Sequence, residues 1–149
     1  MTGLKVGDKA PDFQAEDQDG NKIELADFKD KKLVLFFYPK ASTPGCTAQA
    51  CNLRDNWENF KEKGYAIVGV SADSKKRQQN FKEKYELTFP LIADEDKEVI
   101  NSYGVWGPKK FMGKEYDGIH RTTFVIDEKG NIEDIIGKVK TKEHASQIL

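Results

Sequence analysis

Two cysteines five residues apart, Cys46 and Cys51, are the only ones in the 149-residue chain, and they lie in the stretch Tyr38-Pro39-Lys40-Ala41-Ser42-Thr43-Pro44-Gly45-Cys46-Thr47-Ala48-Gln49-Ala50-Cys51. A pair is too few for a disulfide scaffold, so placement decides what it does. Thr43 is a favoured helix N-cap and Pro44 suits the first helical position, which puts Cys46 at the third. An amide there has no acceptor inside the helix, and the helix dipole is positive, so both would stabilise a thiolate on Cys46. The competing reading is a small buried hydrophobe, yet core packing alone does not ask for Thr-Pro-Gly in front of it.

Cys51 is turned about 140° around the helix from Cys46, with the two Cα atoms about 8.6 Å apart in ideal geometry. A disulfide needs them within roughly 7 Å. Either the pair never bonds, or the first turns of the helix unwind to let it; Gly45 and Thr47 make such opening less costly. The spacing is not the CxxC of a dithiol exchanger. Zinc would have to recruit His120 and His144, whose distances along the chain fit no compact ligand pattern, so no metal is expected.

An ordinary thiol is about 3% ionised at neutral pH, so full ionisation gains only about 30-fold, and lower basicity reduces nucleophilicity. A fast reaction therefore needs donors aimed at the electrophile. Arg121 is the candidate cation. It opens the apolar run Thr122–Ile126, and if that strand lies antiparallel to the run Leu33–Tyr38, Arg121 faces Cys46. The alternative is a surface arginine at a strand start.

These residues have to be positioned by the elements around them. Leu33–Tyr38 and Tyr65–Val70 read as strands buried on both faces, with a helix from about Pro44 to Lys61 between them. That is a βαβ unit with parallel strands and a right-handed crossover. Cys46, Ala50, Leu53, Trp57 and Phe60 form one stripe of this helix, which should dock on the sheet. A hairpin with an Asp-Gly turn at Asp19-Gly20 precedes the unit. A helix from Ser74 to Tyr85, a short strand near Pro90–Ala93 and a helix opening at Asp94-Glu95-Asp96 and running to about Tyr103 follow it. We read the acidic cluster as a cap and first turn rather than a metal site. Val105–Ile119 reads as a long loop, Thr122–Ile126 and Asn131–Ile136 as a second hairpin, and a short helix begins near Lys142. The pattern is an α/β fold with a mixed central sheet flanked by helices, in a single domain spanning residues 1–149.

Composition sets the outer bounds. The formal net charge is −1, from 24 Lys plus Arg and 25 Asp plus Glu, which provides no field for nucleic acid. Charged residues make up 33% of the chain and the mean hydropathy is −0.70, but the apolar residues are clustered, so a folded core is expected. The longest apolar run, Leu33–Phe37, is far short of the roughly 20 residues that cross a bilayer. The first ten residues lack the pattern of a signal peptide, so a cytoplasmic protein with no membrane partner is expected.

Together these residues resemble the peroxiredoxins, in particular the peroxiredoxin Q (bacterioferritin comigratory protein) subfamily. The family pattern PxxxTxxC is present as Pro39, Thr43 and Cys46, and its arginine matches Arg121 in Arg-Thr-Thr-Phe-Val-Ile-Asp. Val6-Gly7-Asp8-Lys9-Ala10-Pro11-Asp12-Phe13 and Tyr103-Gly104-Val105-Trp106 are similar too. The resemblance covers about Leu4 to Ile148. It implies a thioredoxin-like fold with an added N-terminal β-hairpin and an enzyme that needs no cofactor. It further implies that Cys46 attacks hydrogen peroxide or an organic hydroperoxide and becomes a sulfenic acid. Thr43, Arg121 and the Cys46 amide would hold the peroxide in a pocket shaped by Pro39, Pro44 and Gly45. Cys51 would resolve the sulfenic acid as an intramolecular disulfide, with local helix unwinding, and thioredoxin or a similar dithiol would reduce it. A monomer, or at most a weak homodimer, is expected. Ala41-Ser42 stands where the family often carries a more polar pair, and the last helix ends early at Leu149. The same cysteines could instead serve a redox-sensing interaction protein, which slow reaction with peroxide would reveal.

Overall fold

The computed structural model describes residues 2–149; Met1, the first of the residues read for a signal, lies outside them. Strands β1 (Gln14–Glu16) and β2 (Lys22–Glu24) pair antiparallel as the expected first hairpin. Its turn is closed by Asp17, whose carboxylate accepts the amides of Asp19 and Asn21, both at 2.9 Å. Then come β3 (Lys32–Phe37), helices α1 (Pro44–Asp55) and α2 (Trp57–Glu62), β4 (Tyr65–Ser71), α3 (Lys75–Lys84) and β5 (Leu91–Ala93). The chain closes with α4 (Glu98–Ser102), β6 (Trp106–Phe111), β7 (Lys114–Ile119), β8 (Thr122–Ile126), β9 (Ile132–Ile136) and α5 (His144–Ile148).

The central sheet has the order β5-β4-β3-β8-β9, with β3, β4 and β5 parallel and β8 and β9 antiparallel to their neighbours. This is the mixed α/β architecture expected from the sequence. Because successive side chains of a strand point to opposite faces, β3 feeds two cores at once. Leu33, Leu35 and Phe37 pack with Val68, Val70, Ile92, Tyr103 and Phe124 on one side. Val34, Phe36 and Tyr38 pack with Cys46, Ala50, Leu53, Phe60, Phe81 and Phe89 on the other. The α1–α2 stripe predicted from its spacing thus docks on the second face, with Trp57 half-buried at its edge.

Three expectations need correction. The helix read as continuous from Pro44 to Lys61 is interrupted at Asn56, which leaves helical geometry at φ −104° and ψ 13°. The Asn56 side-chain amide donates to the Asn52 carbonyl at 2.8 Å, which is how Asn competes with a helix backbone. The helix expected to open at Asp94 starts instead at Glu98. Residues 94–97 form a turn that ends with Lys97 left-handed at φ 61°, and the Asp94 carboxylate accepts the Ile100 amide at 2.8 Å. Burial pushes the Asp94 pKa up, against those backbone donors. Finally, Val105–Ile119 is not a loop: it holds the antiparallel pair β6–β7, turned at Met112 (φ 51°) and Gly113 (φ 81°). Gly107 and Pro108 hid the strand, and the largely exposed residues of β7 carry no alternation to read.

The C-terminal segment is bound to α1 by Asn52, whose side chain donates to the Lys142 carbonyl at 2.9 Å and accepts the Ala145 amide at 2.8 Å. His144 is fully buried beneath it, with Nδ1 2.8 Å from Gln147 Oε1 and Nε2 2.8 Å from Thr123 Oγ1. An amide oxygen only accepts, so Nδ1 carries a proton; burial of the ring favours the neutral form, in which Nε2 accepts from the Thr123 hydroxyl.

Two predictions follow from this packing. A Cβ on Gly69 of β4 would sit 2.8 Å from Leu91 Cδ2 and from Phe36 Cζ, so Gly69→Ala is expected to lower the unfolding free energy by about 1–3 kcal/mol in urea melts. Burial holds the His144 pKa below its usual 6.5, with the charge of Arg121 adding and the bond to Gln147 opposing. The unfolded chain therefore takes up this proton first as pH falls. The stability His144 contributes is complete above about pH 6.5 and is lost below it. Thermal melts at about pH 7.5 and about pH 5.5 should show a larger loss for wild type than for His144→Gln.

Candidate active site

The site is built where β3 ends. The Tyr38 amide continues the parallel ladder by donating to the Val70 carbonyl at 3.0 Å, and the chain then turns through residues 39–43 into α1. Thr43 holds the N-cap position in extended geometry (φ −80°, ψ 155°) with Pro44 as the first helical residue. The first helical bond runs from the Thr47 amide to the Thr43 carbonyl at 2.8 Å, so Cys46 is the third helical residue and its own amide precedes the ladder. One detail differs from the expected cap. The Thr43 side chain caps no amide; its hydroxyl donates to the Lys40 carbonyl at 2.8 Å and so closes the preceding turn. Its oxygen lone pairs remain available to accept.

Cys46 is buried at 1% exposure, Cys51 is half-buried, and both are free thiols in an intact helix. Arg121 reaches Cys46 from the start of β8, the strand next to β3. Strand β8 runs antiparallel to β3 with Phe37 opposite Thr122, which sets Arg121 beside the mouth of the turn. Its Nη2 donates to Cys46 Sγ at 3.3 Å and its Nη1 to Gln49 Oε1 at 2.6 Å. Gly45 gives the guanidinium room, since a Cβ there would lie 3.2 Å from Nη2. Thr43, Gly45, Cys46 and Arg121 therefore come together, with Pro39 and Pro44 in the turn and first helical turn that carry them. Cys51 does not join them while α1 is formed.

Two residues of the site escaped the sequence reading. Gln49 is fully buried on α1, one turn beyond Cys46, where it fixes the second arm of the Arg121 fork. The available signal was a polar side chain inside an otherwise apolar stripe. Lys109 of β6 donates to the Ile119 carbonyl at 2.9 Å, two residues before Arg121. Burial pushes its pKa down and Arg121 adds to this, against the attraction of Cys46. It went unread because its strand was taken for loop. His120 ties the same junction, with its amide on the Val105 carbonyl at 2.7 Å and Nε2 3.0 Å from the Pro108 carbonyl. Tyr38 lies beneath the turn as a neutral donor to Gln78, its pKa pushed far up by burial. Among the described residues no three His, Cys, Asp or Glu side chains gather as a metal site requires.

The arrangement suits one kind of chemistry. A sulfur nucleophile sits at a helix N-terminus under a forked cation, with an open amide and a hydroxyl nearby. Such a site can stabilise a thiolate and a small, oxygen-bearing electrophile on which negative charge develops.

Comparison with known proteins agrees. Residues 6–135 match the model of the AhpC/TSA family. The chain is 48% identical to peroxiredoxin Bcp of Escherichia coli over 149 residues, covering 100% of this chain and 96% of that one. It superposes on the Xanthomonas campestris bacterioferritin comigratory protein, studied for alkyl peroxide reduction, with a TM-score of 0.87 and 32% identity, covering 99% and 94% of the two chains. For peroxidoxin BcpB of Mycobacterium tuberculosis the TM-score is 0.85 at 36% identity, with 97% and 93% covered.

The Gln49 contact can be tested by stability. Gln49→Leu leaves Arg121 Nη1 without its acceptor and is expected to lower the unfolding free energy by about 1–3 kcal/mol, whereas Gln49→Glu, which keeps an acceptor, should not. Urea melts of the two variants check this.

Proposed function

The chain belongs to the AhpC/TSA family, with the Bcp and peroxiredoxin Q proteins as its relatives, and from that premise we propose that it is a thioredoxin-dependent thiol peroxidase with Cys46 as its nucleophile. The observation that carries the assignment is the Arg121 Nη2 contact to Cys46 Sγ at 3.3 Å, on the third residue of a helix. The Cys46 thiolate attacks one peroxide oxygen and the O–O bond breaks. That oxygen stays on sulfur as sulfenic acid, and the other leaves as water or an alcohol after taking a proton. Arg121 and the Cys46 amide stabilise the negative charge on the peroxide oxygens, and the lone pairs of Thr43 Oγ1 accept from the peroxide hydroxyl. Pro39, Pro44 and Gly45 shape the pocket.

Cys51 then condenses with the sulfenic acid, forming a disulfide and releasing water. Its place in α1, about 8.6 Å from Cys46 in ideal geometry, means that the first turns of the helix open before the bond forms. A thioredoxin-like dithiol returns both thiols by exchange, becoming a disulfide itself. We take the chain to work as a single-domain monomer in the cytoplasm. Among the described residues no helix is long and apolar enough to cross a membrane.

Rapid mixing with hydrogen peroxide tests the proposal. Cys46→Ser is expected to abolish peroxide-dependent oxidation of reduced thioredoxin, and retained activity would refute the assignment. Cys51→Ser should still give one equivalent of product per chain and then stall. Unchanged steady-state turnover in that variant would remove Cys51 from the cycle.

A further inference from the structure

We infer that Asp73 is a positioning residue for the reaction at Cys46: it holds the turn that faces the peroxide, and the inference rests on the peroxidase reading above. The turn of residues 39–43 carries Pro39 and Thr43 and feeds Cys46 into α1. At its middle Ala41 is buried, so its amide has to find an acceptor inside the protein. That acceptor is Asp73 Oδ2, at 2.7 Å. The same oxygen accepts the Ser71 hydroxyl at 2.7 Å, and Ser71 Oγ in turn accepts the Asp73 amide at 3.3 Å. Ser71 is the last residue of β4, so the carboxylate is clamped to the sheet on one side and to the turn on the other. Its second oxygen lies 3.7 Å from Arg77 Nη1 of α3.

The turn needs such a clamp. Ser42, next to Ala41, is left-handed at φ 64°, a conformation that a residue with a Cβ adopts only when its surroundings enforce it. The Thr43 bond to the Lys40 carbonyl is internal to the turn and fixes its shape. The Asp73 bond to Ala41 fixes its place relative to the sheet, and through it the placing of Pro39 and Thr43 against Arg121, which enters from β8 of the same sheet. A carboxylate suits the task because its bonds to N–H and O–H are charge-assisted and short. Asp73 is 91% buried and keeps its charge balanced by those donors and by Arg77 at the surface. Among the described residues it bonds neither Cys46 nor Arg121, so its action passes through the turn.

The test separates peroxide from a reagent that attacks the same sulfur without being held by Thr43 and Arg121. Cys46 oxidation by hydrogen peroxide and alkylation by iodoacetamide are measured at one pH on wild type, Asp73→Asn and Asp73→Ala, with thermal melts alongside. Asp73→Ala is expected to slow peroxide oxidation about tenfold or more and Asp73→Asn about threefold, within the roughly hundredfold that a misplacement of about an ångström can cost. Alkylation should stay within about twofold of wild type, which a loss of general structure would not allow. Should Asp73→Ala fail to fold, Ser71→Ala, which frees the carboxylate from the sheet, is expected to show the same selective loss. Wild-type peroxide rates in the variants, or peroxide and alkylation rates that fall together, overturn the inference. If the wild type itself is not oxidised at Cys46, the peroxidase reading fails and this one with it; a reactive wild type with unaltered variants sinks the Asp73 role alone.

Discussion

The contact between the Arg121 guanidinium and the Cys46 sulfur sets what the rest of the chain has to build. The two residues are far apart in sequence and meet only because β8 lies antiparallel to β3, with Thr122 opposite Phe37. A cation brought into a half-buried position needs acceptors for its other donors, and α1 supplies one in Gln49. It also needs space, which the missing side chain of Gly45 provides. Behind Arg121 the β6–β7 pair is pinned through Lys109 and His120, so the approach of the guanidinium is fixed by bonds on both sides. Sheet register, helix position and hairpin base are therefore three conditions on one distance.

The proposed Cys46–Cys51 disulfide would place a second demand on the same helix, that it be able to open. The apolar stripe of α1 and α2 anchors it to the sheet through Ala50, Leu53 and Phe60, all fully buried. The reactive end carries residues that hold a helix weakly, Gly45 and Thr47, and its first amides lie outside the ladder. Asn52, just past Cys51, fastens the helix to the C-terminal segment. Rigidity is concentrated in the sheet and in the far half of α1; Cys46 sits at the weakly held end, and Cys51 lies beside the anchored part.

Much of this was legible in the chain. Continuous apolar runs gave β3 and β4 and their parallel pairing, because a strand buried on both faces has nothing to alternate. The helix stripe predicted the face that docks, and the Thr-Pro-Gly-Cys order predicted Cys46 at the helix start. Even the pairing of Arg121 with Cys46 followed once β8 was taken as antiparallel to β3. What stayed hidden had local causes. Asn56 breaks the helix through a side-chain bond to the Asn52 carbonyl, which no periodicity reports. The β6–β7 pair is largely exposed and contains Gly107 and Pro108, so it carried neither apolar alternation nor strand propensity. Gln49 and Asp73 are polar groups whose partners come from elsewhere in the chain, and spacing along the sequence cannot show that a partner exists.

The break at Asn56 has a consequence for how far disorder can travel. In an unbroken helix the loss of one turn loosens the next, because each residue shares its bonds with neighbours four positions away. Asn56 interrupts that relay: α2 begins afresh, with the Phe60 amide on the Asn56 carbonyl at 3.2 Å and the Phe60 ring locked in the core. Melting that starts at Pro44 thus meets a natural stop after three turns. Phe60, beyond that stop, keeps its place on the sheet whatever happens at Pro44, much as a joint lets one span move while the next stays fixed.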